Sequence, residues 1–236
     1  MKKIIVTLIL SVFAFAAILY SINEISKSRS FQFFGELIVD VETDEKVVAL
    51  TFDDGPGIYT DQILSILKEE EVKGTFFLTG SEIEQFSDEA INIAQDGHEI
   101  GNHSYSHPRM IFQSPSFIKE EIELTDELIR QIGYTGEIQF RPPYGKRFIF
   151  LPYYLHKEQR KTILWNIEPE SYPDIANDST KIAEYVVENI EPGSIILLHV
   201  MYESRIESLH SVEKIITELK ERGYRFTTIS ELLEYD

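Results

Sequence analysis

The stretch Val47-Val48-Ala49-Leu50-Thr51-Phe52-Asp53-Asp54-Gly55-Pro56 decides how the chain is read. Val47 to Phe52 is a short apolar and β-branched run, the pattern of a buried strand. Two adjacent carboxylates and a Gly-Pro turn close it. Side-by-side carboxylates repel, and a cation beside them removes the repulsion. Taken alone, the turn reads equally well as a solvated acidic loop.

Outward from this stretch, strand-like and helix-like segments alternate. Further strands are expected at Thr75–Leu78, Glu99–Gly101, Ile138–Arg141, Thr162–Ile167, Ser194–Leu198 and Arg225–Thr228. Ile63, Leu64, Ile66 and Leu67 give one helix face. Other helices are expected over Ile83–Ala94, Phe117–Ile132, Ile149–Gln159, Ile182–Ile190 and Ile206–Leu219. Such alternation implies a parallel sheet with right-handed crossovers. An open doubly wound sheet and a slightly incomplete β/α barrel both satisfy it. The polar residues favour the barrel. Asp53 and Asp54, His103 and His107, Arg141 and Tyr144, and His199 each follow a different expected strand. In a barrel those strand ends converge on one face. The expectation is an α/β fold, a parallel barrel of seven strands instead of eight.

Composition narrows the chemistry. The 236 residues carry 22 Lys and Arg against 40 Asp and Glu, a formal net charge of −18. Nucleic-acid binders normally carry a basic patch, so that class is excluded. The acidity also disfavours strongly anionic polymers and suits a neutral sugar better. There is no cysteine, which removes disulfide scaffolds, thiolate metal sites and a cysteine nucleophile. Any metal must be held by His, Asp or Glu.

Gly101-Asn102-His103-Ser104-Tyr105-Ser106-His107-Pro108 offers two imidazoles four apart. That spacing can bring both rings to one ion, with Asp54 as third ligand. Two His and one carboxylate with an open position suit Zn²⁺, with Co²⁺ or another first-row divalent metal as alternatives. Arg141-Pro142-Pro143-Tyr144-Gly145 is a stiffened turn whose Arg could hold a carboxylate ionised and whose Tyr144 N–H could face an oxyanion. Opposite a metal site, His199 is a candidate general acid. His98 reads as structural, and His156 and His210 as surface residues.

The N-terminus is a separate piece. Lys2 and Lys3 precede an uncharged run from Ile4 to Ile22. At about 1.5 Å per residue this nearly spans the ~30 Å hydrocarbon core. An uncleaved membrane anchor over 1–23 is expected, followed by an acidic spacer over 24–45 and a catalytic domain over 46–236. Ala14-Phe15-Ala16 leaves a cleaved signal peptide as the alternative, because it fits a small-x-small site. The Phe31, Phe33 and Phe34 cluster is expected to pack on the domain. Flanking lysines and arginines barely decide orientation.

Together, the T-F-D-D-G-P, H-S-x-x-H-P, R-P-P-Y-G and L-x-H strings resemble the NodB-type polysaccharide deacetylases, carbohydrate esterase family four. The resemblance runs from about Lys46 to the C-terminus. It implies a distorted seven-stranded β/α barrel, the NodB homology domain, that removes acetyl groups from N-acetylglucosamine-type polymers with a divalent metal. By that resemblance Asp54, His103 and His107 bind the metal and Asp53 is the general base. Arg141 orients Asp53, the Tyr144 N–H meets the oxyanion, and His199 protonates the leaving amine. Leu197 and Tyr172 line the acetyl pocket, and Pro142 is counted with them as substrate-contacting. The implied partner is an N-acetylated surface glycan, peptidoglycan foremost. The catalytic domain then lies outside the cell membrane on a single-pass anchor, or is secreted if the segment is cleaved. The family's Asp-Trp pair is missing. Ser171-Tyr172 stands at its spacing from Trp165, with Glu168 or Glu170 as possible substitutes, and Val200 replaces a frequent Asp. A silent glycan-binding protein and an O-acetyl esterase are the competing readings.

Overall fold

The computed structural model describes residues 2–236; Met1, the first residue of the expected anchor, lies outside the described residues. Helix α1 (Lys2–Ser26) leads into a short strand β1 (Leu37–Ile38). Then follow β2 (Val47–Gly55), α2 (Thr60–Glu69), β3 (Thr75–Leu78), α3 (Gly80–Gln85), α4 (Ser87–Gln95) and β4 (Glu99–Asn102). The second half holds α5 (Pro115–Gln131), α6 (Phe150–Lys157), β5 (Thr162–Ile163), α7 (Ser179–Asn189), β6 (Ile195–Leu198), α8 (Ile206–Glu221), β7 (Arg225–Thr227) and α9 (Ile229–Leu232).

The strands pair in parallel in the order β4-β3-β2-β6. The start of β2 pairs with β7, from Val47↔Arg225 to Ala49↔Thr227. Its later residues pair with β3 and β6. Single bridges then close the ring: Asn102↔Phe140, Phe140↔Thr162 and Ile167↔Ile196. The architecture is a distorted parallel β/α barrel, as expected.

Period-two alternation along β2 sorts the core. Val48, Leu50 and Phe52 face outward to helices α2, α7 and α8, where Ile63, Leu67, Val186, Leu209 and Ile216 cover them. Val47 and Ala49 face inward, beside Phe77, Ile163, Ile195 and Leu197. Thr51 and Asp53 continue that inward face, so the interior turns from apolar to polar toward the strand's end. Each large apolar side chain buried this way contributes about 1.5–3 kcal/mol. Gly101 is required by packing: a Cβ there would sit 2.4 Å from the Phe77 ring.

Some expected elements differ. Ile138–Arg141 is not a strand; only Phe140 bridges. Pro142 and Pro143 lack N–H donors, so the ladder cannot extend past Arg141. β5 stops at Ile163, because the carbonyls of Leu164 and Trp165 are taken by the guanidinium groups of Arg141 (3.0 Å) and Arg29 (3.1 Å). The expected helix Ile83–Ala94 breaks at Phe86 (φ −124°, ψ 53°) into α3 and α4. Three helix starts carry side-chain caps: Ser114 and Asp178 accept from the first-turn amides of α5 and α7, and Thr228 with Glu231 forms a capping box on α9.

Lys3–Ser26 of α1 has a mean hydropathy of 2.5 and none of its most apolar stretch is buried. It is long and apolar enough to be a membrane anchor. Its last turn is not free. Asn23 accepts from Lys146 at 3.1 Å, and buried Ser26 accepts from the Arg147 N–H at 3.0 Å. The following stretch lies along the domain: β1 pairs with β5, and Val41 is buried. Phe33 meets Phe148 at 5.4 Å and Phe34 meets Tyr153 at 5.4 Å, so the aromatic cluster does pack on the domain.

Candidate active site

Asp53 and Asp54 leave β2 in opposite environments. Asp53 is buried, and its Oδ1 accepts from Arg141 Nη1 at 2.7 Å. Arg141 is wholly buried; its Nη1 also reaches Thr51 (2.8 Å) and its Nη2 the Leu164 carbonyl. Its guanidinium lies 4.0 Å from the Phe77 ring centre and 5.5 Å from that of Trp165. Burial pulls the Arg141 pKa down, and Asp53 opposes that pull.

Asp54 takes a left-handed backbone (φ 66°) that turns its carboxylate into the cleft. Its Oδ1 lies 3.4 Å from His103 Nε2 and 3.1 Å from His107 Nε2. Burial raises the Asp54 pKa, but the two imidazoles outweigh it and hold the carboxyl far below the usual range. The donor atoms of Asp54, His103 and His107 all lie within 4.8 Å of one another. His103 Nδ1 sits 2.7 Å from the Arg141 carbonyl, which fixes the tautomer that aims a lone pair from Nε2 at Asp54. Asp54 Oδ1 is buried and lacks a hydrogen-bond donor. An orphaned carboxylate oxygen between two aimed imidazoles fits a divalent cation.

The loop bearing the histidines is organised from α5. Glu121, buried on that helix, accepts from the N–H groups of Tyr105 (3.0 Å) and Ser106 (2.8 Å) and from the Ser106 hydroxyl (2.7 Å). Asn102 accepts from Ser104 N–H at 2.8 Å and donates to Asp126 and the Ile122 carbonyl. Glu121 was missed in the sequence. Its signal was a carboxylate inside the apolar stripe Ile118, Ile122, Thr125, Ile129.

His199 faces the site from β6, with Nε2 3.6 Å from Asp54 Oδ2. Its Nδ1 and its backbone N–H both bond Glu170, the latter at 2.9 Å, and Ser208 donates to the same carboxylate. Burial disfavours the imidazolium, but the Glu170 hydrogen bond and the charges of Glu170, Asp54 and Asp53 win, pushing the pKa up to about 9. Burial likewise opposes the Glu170 charge, and the bonds from His199 and Ser208 hold its carboxyl below its usual range. Of the two substitutes considered for the missing Asp, Glu170 reaches the His. Glu168 instead pairs with Trp165 Nε1 (2.9 Å) and Arg29 (3.2 Å).

Asp53, Asp54, His103, His107 and His199 line one cleft of about 490 Å³, with Arg141 and Glu170 behind them. Leu197, Trp165 and Leu164 supply its apolar wall, and Tyr144, 54% exposed with φ 59°, its rim. Pro142 and Tyr172 are not among the lining residues. Pro142 is buried under the turn, and Tyr172 packs on Tyr185 with ring centres 5.0 Å apart. His98 is buried elsewhere and accepts from Gly74 N–H at 3.2 Å.

The sequence model of the family described as polysaccharide deacetylase matches residues 40–157. The chain belongs to the polysaccharide deacetylase family. It is 35% identical over 190 residues to the peptidoglycan-N-acetylglucosamine deacetylase of Bacillus cereus, covering 79% of this chain and 68% of that one. It is 33% identical to the peptidoglycan-N-acetylmuramic acid deacetylase PdaC of Bacillus subtilis, covering 82% of this chain but only 40% of PdaC. Among solved structures, the Bc1960 peptidoglycan N-acetylglucosamine deacetylase, in complex with an N-hydroxybenzamide, superposes with a TM-score of 0.78 at 32% identity, covering 84% of this chain and 92% of that one. As a member of that family, the chain is a polysaccharide deacetylase, and Asp54, His103 and His107 are grouped as a metal site requires.

Proposed function

We propose that this enzyme is a metal-dependent hydrolase that removes N-acetyl groups from an N-acetylglucosamine-containing surface polysaccharide, peptidoglycan foremost, releasing acetate. The observation that carries the reading is the convergence of three aimed ligands, an Arg-held carboxylate and a carboxylate-held imidazole on one cleft. Asp54, His103 and His107 would hold the ion, Zn²⁺ by donor set, whose chemistry when bound is polarisation of the acetyl carbonyl and acidification of water. Asp53 accepts the proton of the attacking water, oriented by its ion pair with Arg141. The Tyr144 N–H meets the oxyanion. His199 delivers a proton from Nε2 to the departing sugar nitrogen while Glu170 holds Nδ1. Leu197 and Trp165 shape the space for the acetyl methyl.

The preserved base and ligands support catalysis over silent glycan binding. The names of the relatives support peptidoglycan as polymer. Helix α1 supports a single-pass anchor with the domain on the extracellular face, where such polymers lie. Acetate release from N-acetylglucosamine oligomers and purified wall, with and without a chelator, tests the activity. No release by the folded enzyme with any added divalent metal would sink it. Protease protection of the domain in intact cells would overturn the topology.

A further inference from the structure

The anchor ends beside an exposed aromatic face. α1 passes into the fold without slack: Ser26 is buried and bonded to Arg147, and Lys27, the next residue, lines the catalytic cleft. Beyond it, Phe31 stacks edge-on with Phe33 (5.2 Å), and Phe33 with Phe148 (5.4 Å). Phe148 in turn meets Phe112 at 5.9 Å. This aromatic row is poorly covered: Phe31 is 48%, Phe112 66% and Phe150 49% exposed. Large apolar side chains exposed together, and not singly, mark an interaction surface.

α6 supplies the rest of the face. It buries Leu151, Pro152 and Leu155 and leaves Phe150, Tyr153 and Lys157 outward. A lysine stands on the outward side of this helix. Lys157 is exposed on this face, whereas Arg147 is buried and Arg160 and Lys161 are paired with Asp126 (2.7 Å) and Glu36 (2.9 Å). An exposed aromatic row beside a lysine is the composition of a helix lying in an anionic bilayer interface.

We propose that the face built by Phe31, Phe112, Phe150, Tyr153 and Lys157 seats the domain on the lipid headgroups of the membrane that α1 spans. The proposal rests on the anchoring reading. The occupant follows from continuity, since the covalent exit from the bilayer lies beside the face. Asn23–Ser26 adds only about one helical turn, roughly 6 Å, between the apolar run and the domain. The seat holds the cleft mouth at the membrane surface. The substrate it reaches is therefore glycan at the membrane, such as chains still attached to lipid.

The absence of cysteine allows a clean test. Single cysteines at Val12, Phe112, Phe150 and, across the barrel on α2, Ser65 are labelled with a polarity-sensitive fluorophore. The full chain is then reconstituted in phosphatidylglycerol-containing vesicles with brominated lipids. Quenching at 12 by deep bromines, at 112 and 150 by shallow bromines, and none at 65 is the expected result. Quenching at 12 with 112 and 150 as aqueous as 65 overturns the seat and leaves the anchor standing. An aqueous label at 12 overturns the anchor, and the seat with it. Phe150→Glu with Lys157→Glu, both on the surface, is expected to cut deacetylation of vesicle-bound glycan at least fivefold while turnover of soluble oligomers is unchanged. An equal loss on both substrates also overturns the proposal.

Discussion

The barrel has two unlike walls. From β6 through β2 and β3 to β4, backbone ladders run without a break except the irregularity between Asp53 and Gly55. On the far side, Phe140, β5 and Ile167 make isolated bridges, and guanidinium groups take the carbonyls that a ladder would use. The regular wall delivers Asp53, Asp54, His103 and His199, the groups that would meet substrate or metal. The irregular wall delivers what holds them: Arg141 on Asp53 and Glu170 on His199. Apart from the Tyr144 N–H, the proposed reacting groups thus stand on the ladder, and orientation comes from the side that lacks one.

The largest effect is expected on the regular wall. Asp53→Asn should lower kcat/KM by about 10²–10⁴-fold, the usual worth of a positioned base. Metal binding, followed by calorimetry, should be unchanged; retained turnover would remove Asp53 from the role of base. The converse break is Arg141→Met, which strands the Asp53 charge. It should cost about 3–5 kcal/mol in urea denaturation. A smaller loss would mean that the irregular wall does not depend on its guanidinium.

The regular wall has its own weak point at the other end of β3 and β4. Burial holds His98 neutral, with its pKa lowered from 6.5 to about 4. Between those values the unfolded chain takes up a proton that the folded chain refuses. Its contribution is therefore complete above about pH 6.5 and is lost as pH falls toward 4, by up to about 3 kcal/mol. Denaturation midpoints of wild type and His98→Gln across that window check this; parallel pH curves would contradict it.

Two smaller changes sharpen the contrast. Glu170→Gln should move the alkaline limb of the kcat/KM profile to lower pH, because His199 then loses the partner that raises its pKa to about 9. An unmoved limb would show that Glu170 only fills space. Arg29→Ala should cost about 1 kcal/mol or less in the same denaturation assay, since its pair with Glu168 is partly exposed.

The regular wall was the legible one. Its strands read directly from apolar runs, and its site residues from their positions just after them. The irregular wall was opaque because its contacts join distant residues of ordinary type. Nothing local marks β1 as the partner of β5, or Arg29 as the donor to Trp165. Glu170 could be narrowed to one of two acids by spacing, but its choice over Glu168 depends on how a single turn of 3₁₀ helix at Pro169–Ser171 presents it. The exposed aromatic row was equally hidden, because Phe31, Phe112 and Phe150 lie far apart in the sequence and meet only in the fold.

Four side chains at the site, Asp54, Ser104, His107 and Tyr144, have backbones in the left-handed region without being glycine. Each such residue costs on the order of 1–3 kcal/mol in isolation. Those conformations persist because β2, α5 and the Pro142-Pro143 turn impose them. The site is therefore not portable. A peptide copying the histidine loop, or a graft of these residues onto a scaffold with relaxed turns, would revert to ordinary backbone angles and scatter the ligands. Progressive denaturation should likewise extinguish activity before the barrel melts.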